Sequence, residues 1–155
     1  MHERVAPYIA TLDGLLTGLL ACPAMSVSDL PSSVSGSGIY LFSESGRHLY
    51  VGRTGNLRQR IQQHQRDGSK HNAAVFAFRI AREQTGRIRA TYRTEGSRAH
   101  IEQDPAFAHA FRAAKVRIRG MDVRTAIVQD PITQALFEIY AAVALATPHN
   151  SFENH

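Results

Sequence analysis

Five side chains in this sequence have types and spacing that could do chemistry, and three of them, Arg60, Tyr40 and Glu138, suit hydrolysis of a phosphodiester. Arg60 and His64 stand four residues apart in a stretch that reads as helix, so both side chains can converge on one ligand. Tyr40 and Tyr50 sit in the middle of two short apolar runs. Glu138 is the only charge within Ile132 to Ala146, an otherwise apolar segment. The reaction requires a hard cation, a positive clamp for the phosphate and a group that activates water. Magnesium often takes one or two carboxylates and completes its shell with water, which a lone Glu138 can satisfy. Arg60 offers a bidentate fork for the phosphate and for charge that builds in the transition state. Tyr40 is a candidate general base, although a free phenol titrates near ~10 and would need help from a cation. Without such chemistry, Glu138 would be an internal salt bridge and the tyrosines a cross-strand packing pair.

These residues require a particular scaffold. Gly38–Phe42 and His48–Gly52 are rich in β-branched and aromatic residues and flank Ser43-Glu44-Ser45-Gly46-Arg47, a polar loop suited to a hairpin. Alternation puts Ile39 and Leu41 on one face and Tyr40 and Phe42 on the other; Leu49 and Val51 share a face that excludes Tyr50. Gly55-Asn56 then supplies a turn and an N-cap for a helix with Leu57, Ile61 and Gln65 as its stripe and Gly68 as its end.

On these residues the chain resembles the GIY-YIG nuclease family. Gly38-Ile39-Tyr40 is literal, and Tyr50-Val51-Gly52 differs from the second half of the name only at its middle position. Thr54, Arg60 and His64 follow at the family's offsets. The resemblance runs from Gly38 to Asn150 and leaves out the N-terminal helix. It implies an endonuclease in which Glu138 binds Mg²⁺ or Mn²⁺ and Arg60 is the catalytic arginine. It further implies Tyr40 as base, Tyr50 as a positioner of water or phosphate, and His64 as a proton relay or a holder of the tyrosine. Asn150 matches a late asparagine that supports the site. Arg53, Thr54, Arg60, Lys70 and His71 are the candidates for contact with nucleic acid; Thr54 also reads as a turn residue, and Lys70-His71 opens a helix where phosphate could be touched. His48, His100, His109 and His149 read as solvated.

Composition agrees with a polyanionic partner. Lys+Arg 18 against Asp+Glu 13 gives a net charge of +5 and a pI near 9.9. Only Lys70 and Lys115 are lysines, and arginine is the better fork for phosphate. An ordinary basic protein has the same balance. The single cysteine, Cys22, excludes an internal disulfide framework and reads as a small buried hydrophobe in a reducing, cytoplasmic setting. There is no Cys pair and no HExxH for zinc.

The remaining segments read in order. Val5 to Ala21 has helical periodicity; Glu3, Arg4, Asp13, Gly14 and Gly18 argue against a signal peptide, and the stretch is too short and polar to cross a bilayer. Ser26–Ser37 is a Ser/Pro/Gly connector. A helix spans Asn72 to Arg82 with Asn72 as its cap, Gln84 to Arg89 forms a polar turn, and the pattern is helical again from Ala99. Asp104-Pro105 and Asp130-Pro131 each pair an N-cap with a proline at the first position. Lys115–Arg119 alternates charged and apolar residues up to Gly120, and Met121–Val128 reads as a third strand. Arg117, Arg119 and Arg124 form a basic group that reads as a solvated face. The last helix, apolar all round from Ala135, should be buried.

The expected fold is therefore one α/β domain of the α+β type: a three-stranded antiparallel sheet flanked by helices. Residues 1–37 would form a helix and connector, and 38–155 the catalytic core. The expected function is metal-dependent hydrolysis of DNA, with no membrane association and no evident protein partner. One active site cuts one strand, so a double-strand break needs a homodimer or two nicks. Rival readings are a nuclease for RNA or branched DNA, a non-catalytic nucleic-acid binder, and an interaction protein, which would need an exposed apolar patch that the sequence does not display.

Overall fold

The computed structural model describes residues 1–86 and 97–152. The elements run α1 (Ala6–Ala21), β1 (Met25–Ser26), β2 (Gly38–Glu44), β3 (Arg47–Thr54), α2 (Leu57–Gln65), α3 (Val75–Gln84), α4 (Arg98–Glu102), α5 (Pro105–Arg119), β4 (Asp122–Ile127) and α6 (Pro131–Ala144). The sheet is antiparallel with order β1-β4-β2-β3, so β3 is an edge strand and β2 is central. It has four strands where three are expected from sequence. The extra one, β1, is two residues paired to Val123 and Asp122 at the start of the connector, too short to leave a periodic signal.

The hairpin alternation holds through Phe42 and then breaks. Tyr40 pairs with Gly52 and Phe42 with Tyr50, but the next pair is Ser43 with His48, which leaves Leu49 as the extra residue of a bulge. Leu49 therefore joins the same core cluster as Tyr40, Phe42 and Tyr50, not that of Val51.

Two cores cover the two faces. On one, Tyr40, Phe42 and Tyr50 pack with Leu57, Ile61, Phe76, Ile80, Phe107 and Phe111 of α2, α3 and α5. On the other, Ile39, Leu41 and Val51 pack with Leu12, Leu19, Phe137 and Ala141 of α1 and α6. The first helix is thus built into the second core.

Capping explains several boundaries. The side chains of Asn56, Asp104 and Asp130 accept from Gln59 N, Ala106 N and Thr133 N at their helix starts, with proline following the two aspartates. The helix expected from Asn72 begins at Val75, with Ala74 in the N-cap place and no side-chain cap. Lys115–Arg119 continues α5 as helix; alternate residues there reflect one buried side, Lys115 and Ile118, against exposed Val116. The turn read over Gln84 to Arg89 lies partly outside the described residues.

The last helix is not buried all round. Ile132, Ile139 and Val143 are exposed, and Ile139 and Val143 line a groove with Ile9, Leu12, Leu136 and Tyr140 between α1 and α6. The apolar patch missing from the sequence reading is therefore present; its halves come from the two ends of the chain. Cys22 is only partly buried. Arg117, Arg119 and Arg124 do not act as one group, because they bond Glu44, Asp67 and the Cys22 carbonyl respectively. Among the described residues, no helix is long and apolar enough to cross a membrane.

Candidate active site

The site forms where β2, β3 and α2 meet. Tyr40 lies on β2 with 1% of its surface exposed, and its hydroxyl is 2.8 Å from His64 Nε2. His64 belongs to the buried stripe of α2, with Leu57 and Ile61, in the place expected for Gln65. The ring centroids of Tyr40 and Tyr50 are 6.3 Å apart, and Tyr50 stacks on Phe76 at 4.7 Å with an 8° interplanar angle.

Both motif glycines are dictated by close approach. A Cβ on Gly52 would lie 2.2 Å from Tyr40 Cζ and Oη, so the tyrosine ring rests on bare backbone. A Cβ on Gly38 would lie 2.0 Å from the Ala126 carbonyl oxygen of β4. The first glycine closes the sheet and the second makes room for the ring.

Burial governs the electrostatics. It pushes the Tyr40 phenol well above its ordinary value; neighbouring Tyr50 adds to this and the Arg60 charge opposes it. Burial, then Arg60, pushes the His64 imidazole down to about 3, so the ring is neutral at neutral pH. Its Nδ1 is buried and has no partner among the described residues. An orphaned N–H is much rarer in folded proteins than an orphaned acceptor, so we assign the proton to Nε2, which donates to Tyr40 Oη. Tyr50 is also raised by burial, against the opposing charge of Arg79.

Arg60 is half-buried and held from below. Its Nη1 donates to the Ala73 carbonyl at 3.0 Å and to Gln63 Oε1 at 3.3 Å, and no carboxylate pairs with it among the described residues. Glu138 stands across the sheet on α6, 25% exposed, with Oε2 3.0 Å from Arg53 Nε. Burial raises its carboxyl above the usual range while Arg53 pulls it down, and its charge reaches both tyrosines. The ion pair weighed from sequence is thus present, with Arg53 as the partner.

Asn150 acts on the β3 edge. Its Oδ1 accepts from Val51 N at 2.9 Å and its Nδ2 donates to Val51 O at 2.8 Å, like an added strand, between Tyr50 and Gly52. Thr147 Oγ1 donates to the same Oδ1 at 2.7 Å.

The remaining candidates divide. Arg53 is engaged by Glu138. Thr54 Oγ1 accepts from Asn56 N at 3.1 Å and so shapes the turn. His71 Nδ1 pairs with Glu102 at 2.5 Å, which takes up the group that would touch phosphate, whereas Lys70 is exposed on the same loop. Two histidines read as solvated are not. His48 Nδ1 bonds Ser43 Oγ at 2.8 Å, and His149, its side chain 12% exposed, packs 5.4 Å from Phe76 and 3.0 Å from Glu83. Arg79 and His149 belong beside Tyr50 and carry no motif signal in the sequence; the one hint is Arg79 at i+3 from Phe76 within an apolar stripe.

A divalent cation can be tested against the donor set. Among the described residues no three His, Cys, Asp or Glu side chains gather, so there is no protein cage. One partly buried carboxylate fits a hard cation that relies on water and substrate oxygens for most of its shell.

A family model described as the GIY-YIG catalytic domain matches residues 36–96. The match takes in both tyrosines, Arg60, His64 and Arg79; Glu138 and Asn150 lie beyond it and rest on geometry. No curated protein and no solved structure matches the chain.

Proposed function

We propose that this chain, whose residues 36–96 match the GIY-YIG catalytic domain, is a divalent-metal-dependent endonuclease that hydrolyses DNA phosphodiesters. The observation that carries the reading is the convergence of Tyr40, His64 and Arg60 on one face of the hairpin, with the Glu138 carboxylate acting on the same tyrosines.

Arg60 receives the scissile phosphate. Braced by the Ala73 carbonyl, its guanidinium retains donors for two phosphate oxygens and meets the negative charge that grows there. Tyr40 presents its hydroxyl to the attacking water. To take the water's proton Tyr40 must first have lost its own to solvent. The His64 Nε2–H that points at its oxygen and the Arg60 charge favour that phenolate against the burial that opposes it, and the transfer from water returns it to the phenol. His64 in this tautomer holds the tyrosine and does not relay its proton. Tyr50, fixed by its stack on Phe76 and by the Asn150 clamp on Val51, orients water or a phosphate oxygen. Glu138 is the residue that would hold Mg²⁺ or Mn²⁺, with Arg53 next to it. The cation, when bound, supplies Lewis-acid polarisation of the phosphate.

The substrate class is tested by offering one sequence as duplex DNA, branched DNA and RNA, each with Mg²⁺, Mn²⁺ or chelator. Cleavage of duplex DNA that requires metal and is lost in Glu138→Ala supports the proposal. Cleavage of RNA or branched DNA alone moves the same chemistry to another substrate. A folded protein that cuts none of them is a binding module.

A further inference from the structure

Arg79 stands at the Tyr50 side of the site as Arg60 stands at the Tyr40 side. It lies on α3 at i+3 from Phe76, whose ring stacks on Tyr50. Its Nη1 donates to the His149 carbonyl. His149 in turn donates its own N–H to the Leu49 carbonyl at 3.2 Å, immediately before Tyr50 on the edge strand. Arg79 is thereby anchored to the chain segment that crosses β3 at the catalytic hairpin.

Among the described residues no carboxylate forms an ion pair with Arg79. Arg53, Arg117 and Arg119 each bond a carboxylate, from Glu138, Glu44 and Asp67. Glu83, four residues on from Arg79, pairs with His149. One of the five guanidinium donors goes to a neutral carbonyl, which leaves a planar fork with its full charge at the rim of the site. After burial, the Arg79 charge is the largest influence on the Tyr50 phenol, in keeping with its anchoring beside Leu49 through His149. A half-buried arginine beside a phenol, held in place and not neutralised, is suited to an anion from outside the protein.

The geometry points to Arg79 as a second phosphate-binding residue: it takes the backbone phosphate next to the one held by Arg60, and so sets which bond of the strand lies over Tyr40. This rests on the nuclease reading for the identity of the site, but its own evidence is the arrangement around Tyr50. Two arginines from different helices, Arg60 beside Tyr40 and Arg79 anchored next to Tyr50, would grip one strand at two points.

The test measures binding separately from cleavage. In a Glu138→Gln background, binding of a fluorescent 20-base-pair duplex is titrated over a range of salt concentrations, with and without Arg79→Met. Loss of one phosphate contact should weaken binding about tenfold and reduce the slope of log K against log salt by about 1. Arg79→Lys should retain the slope while losing affinity, because it keeps the charge without the fork. On the active chain, Arg79→Met should raise KM about tenfold with kcat within about threefold. Arg79→Gln, whose amide can still donate to the His149 carbonyl, gives the same reading if the methionine variant does not fold. An unchanged salt slope in folded Arg79→Met or Arg79→Gln overturns the inference, as does a fall in kcat alone. A wild type that binds DNA through Arg79 but cuts nothing would sink the nuclease reading and keep the contact. Cleavage indifferent to Arg79 would do the reverse.

Discussion

Replacing Gly52 by alanine tests whether the ring of Tyr40 is held where the proposed chemistry needs it. The added Cβ would stand 2.2 Å from Tyr40 Cζ and Oη and 2.8 Å from Cε2. The ring has little freedom to retreat, since Phe42, Tyr50 and His64 surround it at centroid distances of 5.5, 6.3 and 5.4 Å. Its hydroxyl is also bonded to His64 Nε2. Overpacking of this kind costs about 1–3 kcal/mol. Moving the ring would further strand His64 Nε2, beside an Nδ1 that already lacks a partner among the described residues, for about 1–3 kcal/mol more. A total of about 2–6 kcal/mol should lower the unfolding temperature of a chain this size by roughly 5–20 °C. Cleavage should fall by at least ~100-fold even at temperatures where the variant is folded, because a displacement of about 1 Å in a catalytic group has that effect. Circular dichroism melting and a cleavage assay on the same preparation read both numbers. Gly38→Ala serves as the harsher comparison, since its Cβ meets the Ala126 carbonyl oxygen at 2.0 Å and a backbone atom cannot rotate away. A Gly52→Ala protein that melts and cuts like the wild type would show that Tyr40 is not constrained as described.

Three further outcomes follow. Asn150→Ala removes both bonds to Val51 and should cost about 1–3 kcal/mol, softened because water can reach an edge strand; hydrogen exchange at the Val51 amide should speed up selectively, and unchanged protection there would refute the clamp. His64 has a folded pKa of about 3 below an unfolded value near 6.5, so the folded state binds fewer protons between them. Its contribution is therefore full above pH ~6.5 and is lost as the pH falls toward 3. Urea unfolding at stepped pH should show a steeper acid loss in the wild type than in His64→Gln, and equal slopes would contradict the buried neutral ring. Arg53→Met should change stability by no more than about 1 kcal/mol, as expected for a partly exposed pair. It should also lower the Mn²⁺ concentration needed for half-maximal binding several-fold by releasing Glu138 Oε2; unchanged metal affinity would separate Glu138 from the cation.

The hairpin, the helix α2 and the proline-capped starts of α5 and α6 are legible because each rests on contacts between near neighbours in sequence. The position of Tyr40 beside His64 follows from the same local rules once strand and helix are adjacent. What the sequence does not display depends on elements far apart in the chain. The two-residue β1 exists through its pairing with Val123 and Asp122. The exposed side of α6 becomes a groove only when α1 packs beside it. Arg79 and His149 join the site because the end of the chain returns to Leu49 on β3, which no periodicity encodes. Glu138 stands out in its helix as a lone charge, but its partner Arg53 comes from a strand 85 residues away.

The most direct measurement is nicking of supercoiled plasmid by the wild type and by Glu138→Ala and Arg60→Ala, purified in parallel and shown by melting to be folded. Metal-dependent nicking by the wild type that stops in both variants and in chelator is the predicted result. Equal nicking by wild type and Glu138→Ala, or none by a folded wild type at any metal concentration, would contradict the assignment of this site to phosphodiester hydrolysis.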